Sequence, residues 1–185
     1  MSRPAIFLDR DGVIIENRAN YVRSWADVEV FPQAVEALIG VRHSPYCIVL
    51  VTNQSAVGRG LITYEIADAI NHKLMVVIRE AGARVDAIYM CPHAPQEDCD
   101  CRKPLPGLLL KAAEELDLDL SNSVMVGDAL TDIQAGQAAG VRQSILVRTG
   151  RGRDQEQLLS AAERSTMMVF DTLHEALNDV LNPLP

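Results

Sequence analysis

Six short apolar runs constrain the fold of this chain more than any other feature of its sequence. Each run is three to five residues long, and longer segments with polar and helical character separate them. The runs occupy residues 5–8, 47–51, 87–90, 124–126, 145–147 and 167–170. Strands that alternate with helices in this way predict an α/β fold with a doubly wound, mostly parallel, Rossmann-like sheet covered by helices on both faces.

The segments between the runs carry the periodicity of amphipathic helices. In residues 64–81, Ile66, Ile70, Leu74 and Ile78 recur every three or four positions, which predicts one long helix with a single apolar face. Three shorter helices are predicted over residues 33–41, 107–116 and 131–139.

Length and composition place the chain among ordinary globular proteins. Its 185 residues, 48% hydrophobic and 23% charged, fit one domain over residues 1–185, and we find no segment for a separate cap domain. No apolar run approaches the ~20 residues of a membrane helix, and the N-terminal run is too short for a signal peptide. We therefore expect a cytoplasmic protein without a membrane partner. No apolar stripe argues for a dimer, so we expect a monomer.

The net charge of −8 disfavours non-specific nucleic-acid binding, which depends on basic surface. An anionic small molecule remains compatible with this charge, because a few local cations outweigh distant acidic groups that solvent screens.

Polar residues follow three of the predicted strands at their carboxyl ends, where ligands bind in parallel sheets. These residues are Asp9 and Asp11, Thr52 and Asn53, and Gly127 and Asp128. We expect them to meet at one edge of the sheet.

The first of these segments, "AIFLDRDGV", ends a strand in two acids. Residues two apart on an extended chain point to the same side, so Asp9 and Asp11 share one site. Gly12 allows a sharp turn beyond them. Two carboxylates placed so closely are unfavourable unless something positive lies between them, which predicts that a metal ion and a phosphoryl group meet there. Lys103, just before a predicted helix, offers a further cation on a short tether.

The segments "DRDGV", "TNQS", "CRKP" and "GDALTD" occur in this order along the chain. As a set they resemble the four motifs of the haloacid dehalogenase superfamily of phosphatases. Together with a cysteine cluster they resemble its D-glycero-D-manno-heptose 1,7-bisphosphate phosphatase branch, over residues 5–150.

The resemblance implies a role for each acid. Asp9 would attack phosphorus and form an aspartyl phosphate, and Asp11 would act as general acid and then as general base. Mg²⁺ would be held by the Asp9 and Asp128 carboxylates and the Asp11 backbone carbonyl, because this hard ion prefers oxygen ligands. Asp132 would orient a neighbouring lysine or a metal-bound water.

The resemblance also implies a phosphorylated sugar as substrate. Thr52 and Lys103 would hold the oxygens of the transferred phosphoryl group. The remaining residues expected to bind the substrate are Arg10, Arg18, Ala19, Asn20, Tyr21, Asn53, Gln54, Ser55 and Arg102.

Two positions depart from the pattern of the relatives. The segment before the loop 18–22 looks one residue longer, so that Ile15 or Glu16 stands where some relatives have Asn. After Asp128, Ala129 replaces a lysine that is common in several relatives.

The segment "CPHAPQEDCDC" contains a C-x-H-x5-C-x-C pattern. Three thiolates and one imidazole form a closed tetrahedral set of the kind that structural zinc sites use. The ligands are Cys91, His93, Cys99 and Cys101. The resembling branch carries the same ligand types here. A zinc loop over residues 91–101 would fix the segment that presents Arg102 and Lys103.

Two rival functions remain open at this point. Histidinol-phosphate phosphatase has a closely similar domain and also a zinc loop. A phosphorylatable receiver domain, a non-enzyme, also gathers acids, a Thr and a Lys on a parallel sheet, but it would place adjacent acids after its first strand and its Lys last. A dinucleotide binder is disfavoured, because "VGRG" at 57–60 lacks the full glycine spacing.

Overall fold

The structure, a computed structural model, describes residues 2–182. Six strands form one sheet in the order β3-β2-β1-β4-β5-β6, and every neighbouring pair is parallel. The strands are β1 (Ala5–Leu8), β2 (Cys47–Asn53), β3 (Ala87–Cys91), β4 (Val124–Gly127), β5 (Gln143–Val147) and β6 (Met168–Phe170). This is the strand order of doubly wound α/β folds.

Helices connect the strands and cover both faces of the sheet. They are α1 (Pro32–Val41), α2 (Ser55–Gly58), α3 (Tyr64–Glu80), α4 (Gly107–Leu116), α5 (Leu130–Ala139), α6 (Gly152–Gln157), α7 (Ala161–Thr166) and α8 (Leu173–Leu181), with short 3-10 helices at Trp25–Asp27 and Leu120–Asn122. The side chain of Thr63 accepts a hydrogen bond from the backbone N–H of Ile66 and so caps the start of α3.

Two hydrophobic cores lie on opposite faces of the sheet. Side chains alternate along a strand: Ile6 and Leu8 pack with α1, α3 and α8, whereas Ala5 and Phe7 pack with α4 and α5. All four residues are fully buried. Because helices cover both faces, the strands are continuously apolar, as the six runs of the sequence are.

The strand order reverses at β1, and this reversal positions the site. Ile6 pairs with Ile48 of β2 on one side and with Val124 of β4 on the other. The chain leaves β1 and β4 in different directions, which opens a crevice beyond their carboxyl ends.

The predicted fold class is confirmed, and the sheet is parallel throughout the described chain. The four predicted helices and the six strands are present, with small differences at their ends. Strand β2 continues to Asn53, so Thr52 and Asn53 lie within it. The helices α2, α6, α7 and α8 were not predicted, and the first three of these have only four to six residues.

Within residues 2–182 the strand connections add no second layer over the crevice. Each of the five strand connections carries site residues, in segments 9–22, 54–55, 102–103 and 128–132 and at Arg151. No helix in this part of the chain combines the length and the apolar composition that a bilayer crossing needs.

Candidate active site

A cavity of about 270 Å³ opens at the carboxyl ends of β1, β2 and β4. Its wall comes from the segment after β1, the end of β2, the start of α2, residues 102–103 and the start of α5. Polar side chains dominate the lining, and this composition suits a charged, hydrated ligand rather than an apolar one.

Lys103 is a buried cation at the base of this cavity. Its side chain is only 2% exposed, and Nζ donates to Asp9 Oδ1 at 2.8 Å and to the backbone oxygen of Val51 at 2.8 Å. Nζ also lies 2.7 Å from Asp132 Oδ1. Burial disfavours the charged ammonium, but the carboxylates of Asp132 and Asp9 outweigh burial and raise the pKa of Lys103. The residue is therefore a permanent cation at neutral pH.

Three buried carboxylates, which we call the carboxylate site, converge beside this lysine. Oxygens of Asp9, Asp128 and Asp132 all lie within 4.8 Å of one another. Burial, which Lys103 only partly offsets, raises the pKa of Asp9, and burial likewise raises the pKa of Asp128. Three carboxylates here face two cations, Lys103 and Arg151, and their hard oxygen donors fit a divalent ion such as Mg²⁺.

The carboxylate of Asp128 is held by groups from two loops. Asn17 Nδ2 donates to Oδ2 at 2.7 Å, and the backbone N–H of Arg151 donates to the same oxygen at 2.8 Å. The Arg151 guanidinium lies 3.4 Å from both oxygens. Gly12 and Gly150 have positive φ, and a Cβ on either would collide with Asp128. The two loops pack this closely because both positions are glycine.

Asp11 lines the cavity with its carboxylate tethered on two sides. Gln54 Nε2 donates to Oδ2 at 3.0 Å and the Thr52 hydroxyl donates to the same oxygen at 3.3 Å. On the other side the Arg10 guanidinium contacts both oxygens at 3.1 Å. Thr52 itself is fully buried beneath this contact and receives a hydrogen bond from Gln54 at 2.8 Å.

The segment after the cysteine cluster is attached to the end of β2. The Asn53 side chain donates to the backbone oxygen of Lys103 and accepts from its N–H, both at 3.1 Å. Arg102 Nη1 donates to the Ser55 hydroxyl at 3.3 Å and to the backbone oxygen of His93 at 3.2 Å. Both cations are thus fixed relative to the sheet.

The predicted zinc ligands, which we call the thiol loop, come together in space. Their four donor atoms, one each from Cys91, His93, Cys99 and Cys101, lie within 4.8 Å of one another. The contacts range from 3.0 Å, between the Cys101 and Cys91 sulfurs, to 3.9 Å, between those of Cys91 and Cys99. Four-coordinate zinc with ~2.3 Å bonds separates its sulfur ligands by ~3.8 Å, so the donor set fits this ion.

The thiols of this loop need a cation to ionise together. Burial is the largest cause that raises the pKa of Cys91 and of Cys101, and the neighbouring thiols raise the pKa of Cys101 further. All four cysteines of the chain, including the buried Cys47, are free. A closed set of soft ligands without a disulfide is typical of a structural metal site.

Most of the predicted site residues line the cavity. Asp9, Asp11, Arg18, Tyr21, Asn53, Gln54, Ser55, Arg102 and Lys103 do so. Asp128 lies directly behind Asp9, and Asp132 contacts both Lys103 and the cavity.

Four predicted residues lie elsewhere. Arg10 is 1% exposed and points away from the cavity, since consecutive residues leave a strand on opposite sides. Thr52 is buried under Asp11, and Ala19 and Asn20 sit in an exposed turn outside the cavity wall. These residues are not part of the cavity wall, and the expected contact of Arg10, Ala19 and Asn20 with a substrate stays a prediction.

Three residues of the site were missed. Asn17, Thr131 and Arg151 line the cavity, and Asn17 contacts Asp128 as described above. Asn17 follows Ile15 and Glu16 directly and contacts Asp128, while the expectation that Ile15 or Glu16 stands at the asparagine of the relatives stays a prediction. Arg151 lies four residues after the end of β5, a strand that ends at the same edge of the sheet. This position could have predicted it as a site residue.

Comparison with known proteins gives consistent matches. The family model described as HAD-hydrolase-like matches residues 100–176. The D-glycero-beta-D-manno-heptose-1,7-bisphosphate 7-phosphatase of Vibrio cholerae serotype O1 is 42% identical over 182 residues, which cover 95% of each chain. The enzyme of the same name from Escherichia coli K12 is 40% identical over 81% of this chain and 82% of its own.

Solved structures agree with the sequence matches. The D,D-heptose 1,7-bisphosphate phosphatase of B. bronchiseptica, complexed with magnesium and phosphate, superposes with a TM-score of 0.88 and 35% identity, covering 98% of this chain and 99% of that one. The corresponding protein from Burkholderia thailandensis gives a TM-score of 0.72 and 30% identity, with 97% and 99% covered.

Proposed function

The chain belongs to the HAD-like family of D-glycero-β-D-manno-heptose-1,7-bisphosphate 7-phosphatases, which are phosphoric monoester hydrolases, and we propose that it removes the 7-phosphate of that bisphosphate through an aspartyl-phosphate intermediate. One observation carries the mechanism. The Asp9 carboxylate lies at the base of the cavity, 2.8 Å from a buried lysine and beside two further carboxylates able to hold a divalent ion.

In the first half-reaction an oxygen of Asp9 attacks the phosphorus of the ester. The new bond joins Asp9 to phosphorus, and the bond between phosphorus and the sugar oxygen breaks. The departing oxygen takes a proton from Asp11, whose carboxyl lines the same cavity. This division replaces one difficult hydrolysis by two easier displacements.

In the second half-reaction water attacks the phosphorus of the aspartyl phosphate. Asp11, now ionised, takes the proton of this water, and the bond between phosphorus and the Asp9 oxygen breaks. Inorganic phosphate leaves, and both aspartates return to their starting states.

Electrostatics explain why cations surround the nucleophile. At an effective dielectric of ~20, two unit charges ~4 Å apart repel by ~4 kcal/mol, so a carboxylate approaching a phosphate dianion meets ~8 kcal/mol. If no cation offset this repulsion, the higher barrier would slow the attack by about five to six powers of ten. The buried Lys103 ammonium offsets part of this repulsion at the point of attack.

We assign a Mg²⁺ site to the carboxylates of Asp9 and Asp128 and the backbone carbonyl of Asp11. The fit rests on the surplus of buried carboxylate oxygens at this position. When bound, the ion would neutralise charge on the attacking and transferred groups. Asp132 contacts the Lys103 ammonium at 2.7 Å. We assign Asp132 the role of positioning that ammonium.

We assign a structural zinc ion to the thiol loop. Four protein ligands leave no open position for a substrate or a reactive water. The loop ends directly before Arg102, and the backbone oxygen of His93, one of its ligands, accepts a hydrogen bond from the Arg102 guanidinium. Zinc would therefore act on the substrate only through the placement of this arginine.

The substrate class follows from the cations at the rim of the cavity. Arg102 and Arg18 line it, and Arg18 also donates to the Asp27 backbone oxygen and to the Glu29 carboxylate. A sugar with one phosphate at Lys103 and a second phosphate at Arg102 would use both sites. An ester with a single phosphate, such as histidinol phosphate, would leave Arg102 without an anion.

A substrate panel tests the proposal. The specificity constants for heptose 1,7-bisphosphate, heptose 7-phosphate and histidinol phosphate should rank in this order, with Mg²⁺ required for all three. Arg102→Ala should raise KM for the bisphosphate by about 10–100-fold, the value of a charge-assisted hydrogen bond, and leave KM for the monophosphates nearly unchanged. Preference for histidinol phosphate, or turnover without divalent metal, would contradict the proposal.

A further inference from the structure

The side chain of Arg10 is the part of this site that the chemistry above leaves unexplained. It is 1% exposed, the largest fully buried side chain of the described chain, and it does not reach the cavity. Its Nε donates to Asp11 Oδ2 and its Nη2 donates to Asp11 Oδ1, both at 3.1 Å. A buried guanidinium must have its N–H groups hydrogen-bonded, and the Asp11 oxygens accept two of these bonds.

Asn71 holds the other end of the same guanidinium. Arg10 Nη1 donates to Asn71 Oδ1 at 2.6 Å. Asn71 lies on α3, is 1% exposed, and occupies a buried face that otherwise carries Ile70 and Leu74. A buried amide on an apolar face is unfavourable unless it is hydrogen-bonded. Among the described residues, the other side-chain hydrogen bond of Asn71 goes to the Met90 sulfur, at 3.5 Å.

We propose that Arg10 and Asn71 are positioning residues for the general acid. On the proposed function, Asn71 fixes the plane of the Arg10 guanidinium, and the guanidinium fixes the Asp11 carboxyl. Thr52 and Gln54 bind Asp11 Oδ2 from the other direction. The carboxyl is therefore prevented from rotating, although neither Arg10 nor Asn71 touches the substrate.

This arrangement predicts a selective kinetic defect when it is broken. Proton transfer requires hydrogen-bond distance and alignment, so a carboxyl that rotates freely is a poorer acid. The defect matters only when the leaving oxygen needs a proton. A sugar alkoxide needs one, whereas p-nitrophenolate is a stable anion and does not.

The test uses Asn71→Leu, which removes the acceptor at similar volume, and Ile70→Ala as the matched control. Ile70 is the neighbouring buried residue on α3 and is part of the apolar core. Phosphoryl transfer to Asp9 is measured in single turnovers with the sugar phosphate and with p-nitrophenyl phosphate. In Asn71→Leu, the sugar ester should react ~10–100-fold more slowly and the aryl ester within ~3-fold of wild type, with KM for both within ~2-fold. In Ile70→Ala the ratio of the two rates should be that of the wild type.

Arg10→Lys provides the second variant, because it keeps the positive charge and loses the planar fork. The same selective loss on the sugar ester is expected. Equal losses on both esters, a wild-type ratio in Arg10→Lys, or the same shift in Ile70→Ala would overturn the inference. A wild-type protein that hydrolyses neither ester would instead overturn the proposed function, and this inference with it.

Discussion

The carboxylate site and the thiol loop both gather potential metal ligands, but the chain assembles them differently. The ligands of the thiol loop lie within eleven consecutive residues, between the end of β3 and the start of α4. Asp9 and Asp128 are 119 residues apart and meet only because β1 and β4 are neighbours in the sheet. The first cluster is local in sequence, and the second is a product of topology.

Their surroundings differ as well. Asp9, Asp128 and Asp132 are buried and follow strands or begin a helix, so the sheet holds them in place. In the thiol loop only Cys91 is buried and belongs to a strand, whereas the other three ligands are partly exposed on a connection. We therefore expect the carboxylate site to be preorganised by the fold, and the thiol loop to depend on its ion for order.

The largest expected effect is a loss of catalysis at the carboxylate site with no change in the thiol loop. Asp9→Asn removes the nucleophile and should reduce phosphate release by at least ~10⁴-fold, because no other group replaces it. Zinc content and circular dichroism should stay those of the wild type, since the thiol loop does not depend on Asp9. Asp68→Asn, an exposed change on α3, is the matched control. If Asp9→Asn kept activity within about tenfold of the wild type, Asp9 would be excluded as the nucleophile.

A smaller effect is expected when the thiol loop is opened. Cys99→Ser should abolish stoichiometric zinc, lower the melting temperature, and raise KM for the bisphosphate by about tenfold with a smaller change in kcat, because Arg102 loses its support. Metal analysis, thermal unfolding and steady-state kinetics measure these quantities.

Cys47→Ala serves as the control for this change. Cys47 is buried in β2, outside the cluster, and its replacement should leave zinc content and KM unaltered. Unchanged kinetic constants in a zinc-free Cys99→Ser protein would show that the loop has no role in placing Arg102.

The smallest expected effect is on Mg²⁺ binding at the carboxylate site, through the exposed side chain of Arg151. The Arg151 guanidinium is 57% exposed and lies 3.4 Å from Asp128, where it competes with a cation for the carboxylate. Arg151→Ala should tighten Mg²⁺ binding in the absence of phosphate by about 2–5-fold, the range of an exposed ion pair. Calorimetric titration measures this change, and Arg153→Ala, a surface arginine on α6, is the control. Weaker Mg²⁺ binding in Arg151→Ala would reverse the role assigned to this side chain.

The same contrast explains how much the sequence predicted. The thiol loop was readable from spacing alone, because its ligands are adjacent in the chain. Asp9 and Asp128 were predictable because parallel strands end at one edge of the sheet, whereas Lys103 was predicted from its place before a helix and from the motif resemblance. Their convergence in the structure confirms that placement, while their catalytic roles remain proposals.

The sequence predicted that Asp9 and Asp11 share one side of the chain, but it did not predict the partners of Arg10, Asn17 and Arg151. Arg10 lies between two acids that face the cavity, and only the geometry of the strand exit turns it towards α3 and Asn71. Asn17 and Arg151 reach Asp128 from irregular loops, whose paths no periodicity describes. Long-range pairs between a loop and a strand end depend on backbone turns such as those at Gly12 and Gly150, which a linear pattern does not specify.

The reacting groups and the residues at the rim of the cavity lie in different parts of the fold. This difference bears on how the substrate preference of the protein could be changed. Asp9 and Lys103 are anchored in the interior, whereas Arg18 and Tyr21 belong to an exposed segment outside the helices and strands. Changes in residues 18–22 leave Asp9, Lys103 and the Asn17 contact with Asp128 in place. Laboratory evolution directed at residues 18–22 is therefore the most direct route to new ester preferences.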